Sequence, residues 1–278
     1  MQLHRAVVVF VCAATACGSS TDDGPRATTF GGDRPTQLQV PLDFVDDGTL
    51  YPLVVVLHGY SATGFVQSAY FGMRPAPEGT FVLAPDGLTD SSGNEYWNAD
   101  PACCDFDHTG VDDSTYLGDL IADVAHTWPI DPKAIHLIGH SNGGFMAYRM
   151  ACDHADTIAS IVVLAGAAAS DASTCTPSQP VAVLHMHGTA DESVPYSVAQ
   201  PSVDQWASHD GCASTHTAGP DLDIDSDLGN ETHTESIDGC PGDAPIELWT
   251  LQGAGHVPGL NPDFSSRILA YMAAHTRP

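Results

Sequence analysis

The stretch IHLIGHSNG, residues 135–143, decides the fold, because an apolar run leads directly into a Gly-His-Ser-Asn-Gly turn. The residues that follow, through Met150, are compatible with a helix. A G-x-S-x-G turn between a strand and a helix is typical of a nucleophile elbow, whose glycines let the backbone fold sharply while the serine hydroxyl projects. With 21 serines and 26 glycines in 278 residues, roughly 0.2 such matches arise by chance, so the surrounding sequence must support the assignment.

Two later loops supply the partners that a serine nucleophile needs. A serine hydroxyl requires a base to take its proton, and the base requires an acid to orient it. Asp191 comes after the apolar run at 181–186, and His256 comes after the run at 246–251, in a glycine-flanked loop. The chain order Ser, Asp, His is the order found in hydrolases with this elbow. The sequence therefore predicts a catalytic triad of Ser141, Asp191 and His256.

The sequence LHGYS, residues 57–61, follows an early apolar run and fits the second half of such a site. Acyl transfer builds negative charge on the carbonyl oxygen, which then needs two N–H donors. The residue after the nucleophile supplies one donor, and a loop after an early strand supplies the other. We assign the oxyanion hole to the backbone N–H groups of Asn142 and Tyr60, with Ser61 as the alternative second donor.

Five further residues are weaker candidates. Trp97 is predicted to line the substrate cleft and stack on an aromatic or sugar ring, with packing as the competing role. His58 is a second substrate-binding candidate, although a structural role also fits it. Glu192 adjoins the predicted acid and competes with it, while His233 and His275 compete for the role of base but follow no predicted strand.

Short apolar runs alternate with helix-compatible segments, a pattern that predicts an α/β fold with a mostly parallel central sheet flanked by helices. Apolar spacing predicts one helix between Asp112 and Trp128 and a closing helix that begins after Asn261. We expect residues 86–110 to form a long ordered loop and residues 213–244 an irregular excursion. The predicted strands are 53–57, 81–84, 135–138, 158–164, 181–186 and 246–251.

Residues 1–16 have the layout of a bacterial secretory signal peptide, with basic residues, an apolar run and small residues in that order. The small residues before Cys17 resemble a lipoprotein signal in which this cysteine is lipidated, and simple cleavage is the alternative. Residues 17–37 are predicted to form a flexible tether, and 38–278 a single catalytic domain. We therefore expect an exported protein, either secreted or held at the cell surface or in the periplasm by a lipid.

The net charge of −27, from 35 acidic and 8 basic residues, excludes nucleic acid as a partner. It also argues against membrane binding other than through the lipid anchor. Four aspartates alternate in the manner of a calcium loop, but the glycine and terminal glutamate of that motif are out of register, so a solvated loop is favoured. We expect a monomer with no cofactor and no metal site. The four aspartates are Asp221, Asp223, Asp225 and Asp227.

The predicted leader and Cys17 account for two of the eight cysteines, which leaves an even number for disulfides in an exported protein. Cys212 and Cys240 bracket the acidic stretch and are the expected pair. The neighbours Cys103 and Cys104 are not expected to bond to each other, so each should pair with one of the remaining two. A zinc site competes, but no C-x-x-C pair occurs. The six predicted disulfide cysteines are Cys103, Cys104, Cys152, Cys175, Cys212 and Cys240.

These motifs, with YWNAD at 96–100 and the Cys103 and Cys104 pair ahead of VDD at 111–113, resemble the polyhydroxybutyrate depolymerases and feruloyl esterases of the α/β-hydrolase superfamily. The resemblance spans about residues 38–275. It implies an α/β-hydrolase fold and hydrolysis of an ester between an acid and a sugar or polymer. Many relatives carry Cys-Cys-Gly, whereas here Asp-Phe-Asp-His follows the cysteine pair, so the adjoining pocket is expected to differ.

We therefore expect an exported serine esterase that cleaves feruloyl-polysaccharide esters or hydroxyalkanoate polyesters and oligomers through an acyl-enzyme. Acetyl-xylan esterase and general short-chain carboxylesterase activities are the alternatives among enzymes. A hypothesis from another class is a surface lipoprotein that keeps the hydrolase shell and binds carbohydrate without catalysis. The complete triad argues against that hypothesis.

Overall fold

The centre of the fold is a ten-stranded sheet whose six middle strands run parallel. The computed structural model describes residues 25–227, 229 and 231–278. The strands are β1 (Thr29–Phe30), β2 (Thr36–Gln39), β3 (Tyr51–Leu57), β4 (Phe81–Leu83), β5 (Leu88–Thr89), β6 (Glu95–Tyr96), β7 (Ile130–His140), β8 (Ser160–Leu164), β9 (Ala182–Gly188), β10 (His216–Ala218), β11 (Thr232–Ile237) and β12 (Ile246–Leu251). The helices are α1 (Gly64–Tyr70), α2 (Asp113–Thr127), α3 (Asn142–Asp153), α4 (Ala199–Asp210) and α5 (Phe264–Ala274).

The strand order across the large sheet is β1-β2-β4-β3-β7-β8-β9-β12-β11-β10, and β5 pairs with β6 in a separate hairpin. Parallel neighbours need long crossover connections, which the helices between the middle strands supply. Antiparallel strands are added at both edges. The predicted α/β architecture with a mostly parallel sheet is confirmed.

Strand β3 shows how the core divides between the two faces of the sheet. Leu53 and Val55 pack on one face with α2, α3 and α4, whereas Val54 and Val56 pack on the other face with α5. Successive strand residues point to opposite faces, so a strand covered on both sides is a continuous apolar run. This is why the middle strands could be recognised in the sequence.

The ordered domain begins before residue 38, so the predicted tether is too long at its C-terminal end. Strand β1 lies wholly within the predicted tether, and its Phe30 is buried in the core. The indole N–H of Trp128 on the α2 side donates to the carbonyl of Ala27 at 2.7 Å. These contacts attach the segment to the domain although its composition is polar.

The prediction of an irregular excursion at 213–244 is wrong, because strands β10 and β11 extend the sheet there. All three residues of β10 are exposed, and β11 is buried mainly at its two ends. Strand β10 is the edge strand and β11 lies next to it, and both bury little apolar surface, so neither carries an apolar run. The predicted loop at 86–110 contains only the short β5 and β6 hairpin.

The structure contains three disulfides, and one pairing corrects a prediction. The expected bond between Cys212 and Cys240 is present. Cys103 and Cys104 bond to each other instead of to distant partners, across a cis peptide that brings their Cα atoms to 3.0 Å. The two remaining cysteines, Cys152 and Cys175, therefore pair together, with Cα atoms 5.6 Å apart.

The predicted signal peptide at 1–16 and the lipidation site at Cys17 lie outside the described residues. None of the helices in the described part of the chain combines the length and apolar character needed to span a bilayer.

Candidate active site

Ser141 lies at the tip of the turn between β7 and α3, with φ 52° and ψ −120°. A positive φ is uncommon for serine and persists only where the surroundings hold it. Its N–H donates to the Leu164 carbonyl at 2.9 Å. A Cβ on Gly139 would collide with the backbone of Gly143, and a Cβ on Gly143 would collide with that of Leu57. The two glycines therefore permit the close approach that the sharp turn requires.

Side chains from three separate loops meet at the carboxyl ends of the parallel strands. His256 Nε2 lies 2.9 Å from Ser141 Oγ, and His256 Nδ1 lies 2.7 Å from Asp191 Oδ2. Because a carboxylate accepts, Nδ1 carries the ring hydrogen and Nε2 is left to accept from the serine hydroxyl. The structure thus brings the three predicted residues together in the geometry that proton transfer from serine requires.

The Asp191 carboxylate is inaccessible to solvent and fully engaged. Its Oδ1 accepts from the N–H groups of Ser193 at 2.8 Å and Val194 at 2.9 Å. Burial alone raises the pKa of Asp191, but the hydrogen bonds from His256, Val194 and Ser193 outweigh it and hold the pKa below its ordinary value. The group is therefore an anion suited to stabilising an imidazolium.

A buried histidine, His140, supports the loop that carries His256. His140 Nε2 donates to the backbone carbonyl of His256 at 2.8 Å, and their rings are 4.9 Å apart. Burial lowers the pKa of His140 to about 4. It remains neutral near pH 7, so it adds a donor without adding a positive charge beside the base.

The two predicted oxyanion donors are the backbone N–H groups of Asn142, next to Ser141 in the chain, and of Tyr60. Asn142 opens α3, and N–H groups in the first turn of a helix have no partner within it. Tyr60 lines the cleft together with Ser141. The alternative donor, Ser61, is excluded because its N–H already donates to the Glu95 carbonyl at 2.9 Å. Tyr60 is thus the available partner for Asn142.

A cleft of about 650 Å³ opens beside Ser141. The Cys103 and Cys104 disulfide and Phe106 line this cleft, together with Val194 and neighbouring residues of the loop that carries Asp191. Phe106 is 58% exposed, and its ring meets that of Tyr60 edge-on at 5.3 Å. Phe106 was not among the predicted site residues. It lies in the Asp-Phe-Asp-His stretch, whose departure from the family pattern was the signal that this pocket differs.

Trp97 and His58 do not line the cleft, so their predicted contact with substrate is corrected to a supporting role. Both side chains are fully buried. The Trp97 indole donates to the His58 carbonyl at 3.1 Å. The Asn142 side chain accepts from Trp97 N at 2.7 Å and donates to Trp97 O at 2.9 Å. Trp97 therefore holds the residue that follows Ser141.

The acidic stretch 221–227 packs against the loop that carries His256. Asn261 Nδ2 donates to Asp223 Oδ1 at 2.7 Å, and Ser226 N donates to the Gly259 carbonyl at 2.8 Å. Within residues 25–227, 229 and 231–278, no three His, Cys, Asp or Glu side chains are grouped to hold a metal ion. The observed contacts of this stretch are structural ones.

Comparison with known proteins identifies relatives among esterases. The family described as Phospholipase/Carboxylesterase matches residues 47–209, more than half of the chain. Feruloyl esterase B from Piromyces equi is 27% identical over 246 residues, which cover 81% of this chain and 43% of that protein. The putative esterase NocK from Nocardia uniformis is 27% identical over 147 residues, 52% of this chain and 41% of NocK. The chain thus spans less than half the length of these two relatives. Feruloyl esterase D from Neurospora crassa is 22% identical over 270 residues, 90% of this chain and 85% of that protein.

Solved structures agree on the fold. Acetyl xylan esterase from Aspergillus awamori superposes with a TM-score of 0.62 at 16% identity, covering 90% of this chain and 98% of that one. A thermostable esterase superposes with a TM-score of 0.58 at 17% identity, covering 90% and 62%. At such identities these likenesses bear on the fold alone. They confirm the predicted α/β-hydrolase fold.

Proposed function

The chain belongs to the phospholipase/carboxylesterase family of α/β-hydrolases, and on that basis we propose that it is a serine esterase using Ser141, His256 and Asp191. The observation that carries the proposal is the pair of hydrogen bonds that His256 makes: its Nε2 accepts from Ser141 Oγ at 2.9 Å, and its Nδ1 donates to Asp191 Oδ2 at 2.7 Å. Family membership does not identify the reaction, because one fold supports many activities. The geometry of these three groups supplies the chemical argument.

In the proposed acylation step, His256 Nε2 takes the Ser141 proton as Oγ attacks the ester carbonyl carbon. The oxygen of that carbonyl becomes negative and is stabilised by the N–H groups of Asn142 and Tyr60. The imidazolium is stabilised by Asp191. It then returns its proton to the leaving alkoxide, which departs as the alcohol and leaves an acyl-enzyme.

In the proposed deacylation step, water replaces the alcohol. His256 takes a proton from the water, whose oxygen attacks the acyl carbon, and the same two N–H groups stabilise the oxyanion. Collapse of this intermediate breaks the bond to Ser141 Oγ, and His256 returns the proton to that oxygen. The acid leaves and the enzyme is regenerated.

For the substrate, we propose esters between a hydroxycinnamic acid of the feruloyl type and plant polysaccharides. Two of the relatives are named feruloyl esterases. The cleft also offers an exposed aromatic side chain, Phe106, on which a planar acyl group can stack. The second candidate is an acetyl ester of xylan, favoured by a 27% identical bifunctional acetylxylan esterase/xylanase from Neocallimastix patriciarum that matches 74% of this chain.

The test is kcat/KM on methyl ferulate, p-nitrophenyl acetate, acetylated xylan and a soluble hydroxybutyrate oligomer, for the wild type and Ser141→Ala. We expect the highest value on methyl ferulate, with the variant lower by at least about 10⁴-fold on each substrate. Preference for acetylated xylan or for the oligomer selects the other substrate classes. Full turnover by Ser141→Ala contradicts the triad, and an inactive wild type that still binds polysaccharide supports the non-catalytic alternative.

We also propose export through residues 1–16 and lipidation of Cys17, both of which rest on the sequence pattern. Intact-mass analysis of the protein purified from a bacterial host measures the mature N terminus. A chain that begins at Cys17 and carries the mass of a diacylglyceryl group is the expected result. A chain cleaved elsewhere without lipid would support simple secretion.

A further inference from the structure

Two buried histidines on β9 form a hydrogen-bonded chain that ends at the acid loop. The Tyr148 hydroxyl lies 2.9 Å from His185 Nδ1, and His185 Nε2 lies 3.1 Å from His187 Nδ1. His187 Nε2 then lies 2.9 Å from the Val194 carbonyl and 3.3 Å from Asp191 Oδ2. The two histidines are two residues apart on a strand, which puts them on one face. Their rings stack with centroids 5.4 Å apart.

The direction of every hydrogen bond in this chain follows from its last acceptor. A carbonyl can only accept, so His187 Nε2 must carry a hydrogen. In a neutral ring Nδ1 is then an acceptor, and His185 Nε2 must donate to it. By the same rule His185 Nδ1 accepts, and the Tyr148 hydroxyl donates. Burial is the main cause that lowers the pKa of both histidines, which keeps them neutral and preserves this single arrangement.

The hydrogen-bonded chain fixes the backbone of the loop that carries Asp191. Val194 is held through both of its backbone polar groups, because its N–H donates to Asp191 Oδ1 at 2.9 Å while its carbonyl accepts from His187. The His187 N–H also approaches Oδ2, the oxygen that accepts from His256. At its other end the chain starts on Tyr148 of α3, the helix that begins directly after the proposed nucleophile.

We propose that His187, held in one tautomer by His185 and Tyr148, is a positioning residue that keeps the Asp191 carboxylate directed at His256. The inference rests on the proposed function, because it concerns the same triad. His187 itself has no contact with the reacting atoms. The titratable groups that face His187 from the elements packed against it are Asp191, His185, His256, His140, Tyr148 and Tyr196.

Two amide variants separate the two ring nitrogens of His187. The amide nitrogen of His187→Gln reaches the position of Nε2, whereas that of His187→Asn reaches only the position of Nδ1. On p-nitrophenyl acetate we expect the Gln variant to keep kcat within about threefold of wild type and the Asn variant to lose about tenfold, with KM unchanged. The acid limb, meaning the rise of kcat/KM with pH on the acidic side of the pH profile, should move to lower pH in the Asn variant. The reason is that a displaced Asp191 stabilises the His256 imidazolium less.

The matched control is His136→Asn on β7. This histidine is equally buried and bonds to Ser160 Oγ at 2.8 Å, but it has no contact with the triad. We expect it to lower the thermal midpoint while kcat and the acid limb stay at wild-type values. Equal kcat losses in the two His187 variants, or a His187→Asn acid limb identical to that of the wild type, would overturn the proposal.

A third variant covers the case in which His187→Asn does not fold. Tyr148→Phe removes only the hydroxyl that donates to His185 Nδ1, and we expect kcat to fall by more than about threefold with the acid limb again moved to lower pH. A folded Tyr148→Phe enzyme with wild-type kcat and acid limb would overturn the proposal. Ser141→Ala is measured on the same substrate. If Ser141→Ala retains turnover, the proposed function is rejected. If Ser141→Ala loses turnover while the His187 variants behave as the wild type, only the positioning role is rejected.

Discussion

Asp210 is a buried acid whose ionisation should oppose folding. It is the last residue of α4 and is 5% exposed. Its Oδ2 accepts only a long hydrogen bond from Val181 N at 3.3 Å, and Oδ1 has no partner among the described residues. Burial raises the pKa of Asp210 from 3.8 to about 7. The helix C terminus is also a poor place for a negative charge.

The sign of the pH effect follows from the raised pKa. The folded protein holds this proton up to about pH 7, whereas the unfolded chain releases it near the ordinary aspartate value. The contribution to stability is complete at pH values below that ordinary value and is lost as pH rises to about 7. At about 1.4 kcal/mol per pKa unit, ionisation of Asp210 lowers the free energy of unfolding by at most about 4 kcal/mol. We expect local relaxation around the charge to reduce this loss to about 2 kcal/mol.

Asp210→Asn removes the ionisation and keeps an acceptor for Val181 N. We expect the variant to gain about 2 kcal/mol relative to wild type between pH 4.5 and pH 8.5, as measured by urea unfolding with the disulfides intact. Taking the difference between the two proteins at each pH cancels the titration of all other groups. Asp119→Asn, at an exposed position on α2, is the control and should show no such pH-dependent gain. A free-energy difference between Asp210→Asn and wild type that is the same at both pH values would refute the reasoning.

Three further predictions concern Asn142, the cleft and a disulfide. Asn142→Leu leaves the buried N–H and carbonyl of Trp97 unpaired. Urea unfolding should show that the free energy of unfolding falls by about 2 kcal/mol or more. Phe106→Ala should lower kcat/KM for methyl ferulate about tenfold and leave that for p-nitrophenyl acetate within about twofold; equal losses on both would remove Phe106 as an aryl contact. Replacing Cys212 and Cys240 with serine removes a cross-link between residues 28 positions apart in the sequence, and should lower the free energy of unfolding by about 3 kcal/mol. An unchanged thermal midpoint would contradict this.

The middle of the sheet could be predicted from the sequence, and its edges could not. A strand such as β3 is buried on both faces, so each of its residues is apolar and the run stands out. Strand β10 is exposed along its whole length, and β1 has only two residues. These strands are held by backbone pairing with the adjacent strand of the sheet. Backbone pairing does not require apolar side chains, so it cannot be recognised in the composition. The tether boundary and the 213–244 excursion were mistaken for this reason.

That Ser141, Asp191 and His256 lie close together was predictable because each follows a recognisable strand, and parallel strands end at one edge of the sheet. The cleft was not predictable in the same way. Trp97 and Phe106 are both aromatic residues in loops, yet one is fully buried and the other is 58% exposed. Which of them faces substrate depends on how the loop between the β5 and β6 hairpin and α2 folds, and the pairing of Cys103 with Cys104 in that loop was itself not expected from the sequence.

Each of three loops of the site is held by a buried neutral histidine that donates to a backbone carbonyl. His58 donates to the Gly59 carbonyl in the oxyanion loop at 2.8 Å, His140 to the carbonyl of His256 at 2.8 Å, and His187 to the acid loop at 2.9 Å. Burial lowers the pKa of all three. A histidine whose pKa is depressed on folding stabilises the protein above its ordinary pKa and loses that contribution as pH falls towards the folded value. Protonation would leave each ring with a second N–H to satisfy in a dry environment. Acid should therefore loosen these three loops together. This loss grows as pH falls, whereas the loss that Asp210 produces grows as pH rises from the ordinary aspartate value to about 7.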